Sequence, residues 1–230
     1  MTGGAELEVG LGAAFLVVNA DDLGYDPEID RGILESHQGG IVSSASAMVD
    51  TPFAPAALAA APPTLGVGLH AVLDPRLDRG AARAEIERQL ARLEELRREP
   101  ASHLDSHRHV HRAPAILEAM AEVAAPRRLP VRALDPAMRA SLRRWGVPVA
   151  DHFLGDADLR PCWTLERLLA ILPQLPPGTT ELMCHPGHPP SSTRTSFGPE
   201  REVELLALTD PLAFGILRAA GVHLVRHGAR

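Results

Sequence analysis

The chain has 230 residues, 45% of them apolar, and a formal charge of -6. That length supports a substantial core without requiring two domains, and the negative balance gives no footing for nucleic acid or an anionic membrane surface. All 23 basic residues are arginines scattered along the chain, and the two cysteines, Cys162 and Cys184, form neither a Cys-x-x-Cys pair nor a disulfide framework, so a reducing cytoplasm is the expected compartment.

Residues 1–12 carry Glu6 and Glu8 and no basic residue, unlike a signal peptide; they are expected to be a flexible extension of a single domain over 1–230. No apolar run reaches the roughly 20 residues of a membrane span. Beyond residue 12, short apolar segments alternate with helical patterns, which predicts a parallel sheet covered by helices. Strands are predicted at 14–19, 41–48, 65–70, 103–107, 130–133, 149–154, 181–185 and 222–225, with helices clearest at 83–98, 114–124, 200–208 and 211–220. Gly221 is a plausible helix C-terminal glycine. Eight strand–helix units are tight in this length, since a complete (β/α)8 barrel takes about 250 residues. The expected fold is therefore an irregular (β/α) TIM-like barrel. A glycine-rich phosphate loop, which an open nucleotide-binding sheet would carry, is missing from the sequence.

The first strand runs directly into Asp21, Asp22, Leu23 and Gly24. Neighbouring strand residues face opposite ways, so both carboxylates can serve one ligand only if the strand ends there. His70 ends the third strand, His107 the fourth and His185 the seventh, while His152 lies in the sixth. Barrel enzymes collect their chemistry at the C-terminal strand ends, so all of these are expected to converge on one mouth. The densest cluster is His103, Asp105, His107, His109 and His111. In an extended strand these would span too much length to touch one ion, so the chain must turn after about His107. Asp22, His70 and His107 together would form a one-carboxylate, two-histidine face with open coordination positions, the arrangement of a catalytic ion. Cys184 beside His185 is not expected to act as a thiol–imidazole couple, because adjacent strand residues diverge.

The ordered segments Asn19-Ala20-Asp21-Asp22-Leu23-Gly24, Gly39-Gly40-Ile41-Val42-Ser43-Ser44, Gly68-Leu69-His70, His103 to His111 and Glu181 to Gly187 resemble the successive motifs of the YdjC-like carbohydrate deacetylases. That family includes deacetylases of N-acetylated chitooligosaccharides and members associated with hopanoid biosynthesis. The resemblance implies a barrel-like fold and metal-dependent removal of an N-acetyl group from a sugar or glycoconjugate, giving acetate and a free amino sugar. It implies Asp22, His70 and His107 as metal ligands, Asp21 as the catalytic carboxylate and His185 beside the reacting acetyl group. Asn19, Asp105, His109, His111, Arg132 and His152 are further candidates for touching substrate or supporting the ligands. Arg108 stands where the family usually has another histidine, and the segment between His70 and Asp105 is short for a member acting on oligosaccharides. The ion expected is magnesium or zinc: two imidazoles suit zinc, whereas the family points equally to magnesium. The implied partner is a small N-acetylated carbohydrate, and a homodimer is a further expectation. The competing readings are a metal-dependent phosphoesterase using the same triad, a metal-free glycoside hydrolase using paired carboxylates, and a non-catalytic carbohydrate-binding relative. Aromatic residues make up 3% of the chain, which weighs against a sugar-stacking module.

Overall fold

The computed structural model describes residues 12–155 and 162–228, so the extension expected over 1–12 lies, apart from Gly12, outside the described residues. Among the described residues, seven parallel strands form one sheet: β1 (Ala14–Leu23), β2 (Ser44–Ala47), β3 (Gly66–Ala71), β4 (Leu104–Ser106), β5 (His152–Leu154), β6 (Gly178–Cys184) and β7 (His223–Leu224). Their order is β4-β3-β2-β1-β6-β5, with β7 pairing Phe15 and Leu16 of β1. Since β6 pairs Ala14–Ala20 along one edge of β1, β7 and β2 share the other edge, β7 below and β2 above.

The sheet curls into an irregular, barrel-like wall that is not fully laddered. The predicted strand at 130–133 contributes only a bridge between Val131 and Leu104, flanked by bonds from Leu104 N to Pro130 O and from Arg132 N to Leu104 O. Pro130 has no N–H to donate, and by Pro136 the chain has entered a helix, so no ladder develops. On the other side of the gap, Val131 N–H donates to Pro148 O at 3.1 Å, which brings this segment toward the approach to β5 and closes the ring with one hydrogen bond.

Eight α-helices cover the described sheet: α1 (Pro27–Gly39), α2 (Ala54–Ala60), α3 (Arg79–Arg97), α4 (Pro114–Arg127), α5 (Pro136–Arg144), α6 (Leu165–Ile171), α7 (Pro199–Thr209) and α8 (Pro211–Ala219). Most begin on a side-chain cap or an early proline, each of which answers an orphan N–H of the first turn. Asp26, Asp78, Asp135 and Asp210 all cap in this way. Gly221 has a φ of 68° just after α8, the left-handed position expected of it. Alternate β1 residues, such as Leu16 and Val18, pack under these helices with Ile29, Ile33, Leu58, Ile86 and Leu90. No described helix is long and apolar enough to cross a membrane.

Candidate functional site

Polar residues gather inside the wall at the C-terminal ends of β1, β3, β4 and β6. On β1 the two carboxylates reach the interior by a device the sequence did not disclose. The strand continues to Leu23, beyond its predicted end, but its register with β2 slips between Ala20 and Leu23 and Asp22 takes a φ of 74°. Such a bulge breaks the strict alternation of faces, and aspartate is among the residues that tolerate left-handed backbone. Asp21 and Asp22 therefore both point inward without the strand ending.

Three atoms stand close together at this mouth. His70 Nε2 lies 3.5 Å and His107 Nδ1 3.4 Å from Asp22 Oδ1, and the two imidazole nitrogens are 3.3 Å apart. Asp22 Oδ1 is buried and has no hydrogen-bond partner, while Oδ2 accepts from Arg201 Nη2 at 2.5 Å. His107 sits here because β4 stops at Ser106 and the chain folds into a 3-10 turn over His107–Arg112, with Arg108 and His109 in the left-handed region. This is the turn the histidine spacing demanded. Two consecutive non-glycine residues in that region carry strain of the order of 1–3 kcal/mol each, a feature that clusters at functional sites.

The orientation of His70 follows from register. His70 and Asp105 are direct partners across β3 and β4, and His70 Nδ1 donates to Asp105 Oδ1 at 2.7 Å, leaving Nε2 to face Asp22. Ser46 Oγ donates to Asp105 Oδ2 at 2.7 Å and accepts from Asn19 Nδ2 at 2.8 Å. Asn19 Nδ2 also donates to Asp21 Oδ1 at 2.9 Å.

Arg132 fills the centre of the wall, fully buried. Its Nη1 and Nη2 grip the two oxygens of Asp21 at 2.7 Å, Nη2 also lies 2.7 Å from Asp105 Oδ2, and Nε donates to Glu181 Oε1 at 2.6 Å. Burial alone would raise the Asp21 carboxyl, but Arg132, with His70 and His185, outweighs it and holds the group well below the usual carboxylate range. Glu181 is likewise held down, to about 2, against the opposing effect of burial. The four buried carboxylates of this network, Asp21, Asp22, Asp105 and Glu181, face two guanidiniums, Arg132 and Arg201. With His70 and His107 uncharged, as ligands of an ion would be, two negative charges are left over, the charge of one divalent cation.

His185 Nε2 lies 4.0 Å from Asp21 Oδ2, and its ring packs 5.2 Å from that of Phe197. Burial pushes its pKa down against the pull of Asp21 and Asp22, so the resting ring is uncharged near neutral pH. Its backbone N–H donates to Glu204 Oε2 at 2.5 Å. Cys184 points away: its thiol donates to Asn19 O at 3.4 Å within the core.

Three candidates stand apart from the triad. His152 begins β5 instead of ending it; it pairs with Thr180, four residues before the end of β6 and so roughly 13 Å below the mouth, and its Nε2 lies 3.2 Å from Pro177 O. The expected convergence fails there because β5 stops at Leu154, opposite Leu182, which leaves His152 low in the wall with its ring turned to Pro177. His109 and His111 leave the strand with the 3-10 segment: their rings pack edge to face, His109 also packs edge to face on Phe153, and His111 Nδ1 is hydrogen-bonded to Ser106 Oγ at 2.5 Å. Among the described residues, the groupings able to hold an ion are Asp22–His70–His107 and Asp21–His70–Asp105. In the second, Asp21 and Asp105 are both bonded to Arg132 and Asp105 holds His70 Nδ1, whereas the first keeps a buried oxygen, Asp22 Oδ1, without a partner.

Sequence reading passed over Arg201, Glu204, Ser46 and Glu181. A signal existed for the first two: on α7, residues 201, 204, 205 and 208 share one face, so Arg201 and Glu204 occupy core positions beside Leu205 and Leu208, while Val203 and Leu206 are exposed. The open groove of about 610 Å³ beyond β3 is lined by Val72, Leu73, Asp74 and Leu77 among others, and by none of these histidines.

Fold and site together define a parallel-stranded, barrel-like α/β protein with a carboxylate–histidine centre at its strand ends. The chain belongs to the YdjC-like protein family, whose pattern matches residues 15–79 and 74–219. It is 34% identical to a carbohydrate deacetylase of Geobacillus stearothermophilus over 93% of this chain and 96% of that one. It is 32% identical to a chitooligosaccharide deacetylase of Serratia marcescens over 85% and 91% respectively. Its fold superposes with a TM-score of 0.84 on a crystal structure from Enterococcus faecalis, provisionally described as a cellobiose-phosphate cleavage protein, at 22% identity and covering 94% and 98% of the two chains.

Proposed function

We propose that the chain is a metal-dependent deacetylase that removes the N-acetyl group of an amino sugar or glycoconjugate. The observation that carries the reading is the triad of Asp22 Oδ1, His70 Nε2 and His107 Nδ1, mutually 3.3–3.5 Å apart around a buried oxygen without a partner. Those separations suit neighbouring donors around one ion bound at about 2.0–2.2 Å, and the two uncompensated charges suit a divalent one. The relatives named carbohydrate and chitooligosaccharide deacetylase support the substrate class.

Asp22, His70 and His107 hold the ion, zinc or magnesium. When bound, it supplies Lewis-acid polarisation of the acetyl carbonyl and lowers the pKa of a coordinated water. Asp105 keeps His70 in the tautomer that offers Nε2. Asp21, fixed by Arg132 and Asn19, stays ionised and accepts the proton of the attacking water. Its depressed pKa makes it a weak base, so the proton it takes is readily passed on. His185, 4.0 Å away and uncharged at rest, receives that proton and gives it to the departing amine.

The test is acetate release from a panel of N-acetylated mono- and oligosaccharides and an N-acetylglucosaminyl lipid, using protein stripped of metal and reloaded with magnesium or zinc. Metal-dependent release is expected, with Asp21→Asn losing about 10²–10⁴-fold in rate while retaining its ion. No release from the whole panel at stoichiometric metal would overturn the reading.

A further inference from the structure

We propose that Arg201 is a positioning residue of the metal centre, and that its hold on Asp22 makes that carboxylate a one-oxygen ligand. The inference rests on the ion site proposed above. Carboxylates bind divalent ions through one oxygen or both. In Asp22 the two oxygens have separate surroundings: Oδ1 faces His70 and His107 without a hydrogen-bond partner, and Oδ2 is held by Arg201 Nη2 at 2.5 Å. Turning Oδ2 toward an ion would break an ion pair whose side chains are 2% and 5% exposed, and the uncompensated buried charge left behind makes such a break unfavourable. One oxygen and two imidazoles then fill three positions and leave the rest to water and substrate.

The placement of Arg201 differs from that of the other buried arginine. Arg132 is shared among three carboxylates and cross-links β1, β4 and β6. Arg201 pairs with Asp22 alone, and its Nη1 is buried without an acceptor among the described residues. Its plane is set by Nε, which donates to Phe197 O at 2.8 Å, and its own carbonyl accepts from Gly187 N–H at 3.2 Å, in the turn that follows His185. The guanidinium is thus anchored from the backbone at both ends of its side chain and offers its remaining strength to the oxygen that the ion does not use.

Cobalt(II) reports the outcome, because its visible absorption weakens as coordination number rises. Full-length protein is stripped and titrated with cobalt as wild type, Arg201→Met and Arg201→Lys. Wild type is expected to bind one ion. Arg201→Met is expected to bind it with an absorption about two-fold weaker or less, as Asp22 becomes two-oxygen, and Arg201→Lys, which keeps a cationic donor at Oδ2, to restore the wild-type spectrum. A stoichiometrically loaded Met variant with the wild-type spectrum would overturn the role of Arg201. Failure of wild type to bind cobalt at all would instead overturn the ion site. Should the Met variant not fold, a crystal structure of the metal-loaded wild type decides: Asp22 bound through one oxygen, with Oδ2 still on Arg201, supports the proposal, and two-oxygen binding ends it.

Discussion

Asp105 touches no predicted reacting atom, yet it fixes the tautomer of His70 and shares Arg132 with Asp21. Asp105→Asn is expected to weaken metal binding about 10–100-fold, read by calorimetric titration of stripped protein, because a neutral amide oxygen accepts the His70 Nδ1 proton more weakly than a carboxylate and makes Nε2 a poorer donor. An unchanged affinity would remove Asp105 from the centre. His152→Ala, by contrast, is expected to leave both metal affinity and turnover within about two-fold, since the ring lies at the opposite end of the wall. The proposed ligands were legible at this scale because histidine and aspartate at strand ends announce themselves. Arg201 was passed over: its place on the apolar face of α7 marks it as buried, but nothing local names Asp22 as its partner.

At the scale of elements, α1 and the turn after β6 meet backbone to backbone. A Cβ on Gly32 of α1 would lie 2.5 Å from Gly187 Cα, closer than real side chains approach. Gly32→Ala is therefore expected to destabilise the protein by about 1–3 kcal/mol in urea unfolding and to displace His185, lowering turnover more than metal affinity. Equal loss of both, or of neither, would show that this contact does not set His185. The same segment is tied from the other side by Asp26, the cap of α1, which accepts from the backbone N–H groups of Ser191, Ser192 and Thr193. The four helices given bounds from sequence, and most strands, were predicted near their observed limits because apolar periodicity is a local signal, while α1, α2, α5 and α6 were not singled out. The strand at 130–133 failed because its pairing depended on Pro130 finding partners, which periodicity does not report.

Across the whole molecule, buried histidines make stability depend on pH in opposite senses. Burial would lower His70, but Asp105 and Asp21 outweigh it and push it up to about 9. In metal-free protein its stabilising contribution is full below about 6.5 and is lost as pH rises toward 9, on the order of 3 kcal/mol. His103, His109 and His111 are pushed down by burial, His109 to about 4, so they favour the fold above about 6.5 and disfavour it as pH falls toward 4. Asp30 and Glu204, both raised to about 7 by burial, oppose that acid decline without matching three histidines. Urea unfolding of the stripped protein is thus expected to show maximal stability near neutral pH. Saturating metal should abolish the decline between pH 7 and 9, since the ion takes the nitrogen that would otherwise be protonated; a decline that persists would contradict an ion on His70.

The sequence by itself determined the alternation of strands and helices, the barrel-like class, the family and the identity of the residues at the mouth, because each is written in local periodicity, in residue type or in motif order. Tertiary structure decided the bulge that turns Asp21 and Asp22 to one side, the exclusion of His152, the pairing of His70 with Asp105, and the recruitment of Arg132, Arg201 and Glu204. Those features depend on register and on buried charge finding its counter-charge across 35 to 179 residues of chain. Low-dielectric surroundings make such pairings obligatory once the chain is packed, and no local pattern encodes which partner will be within reach.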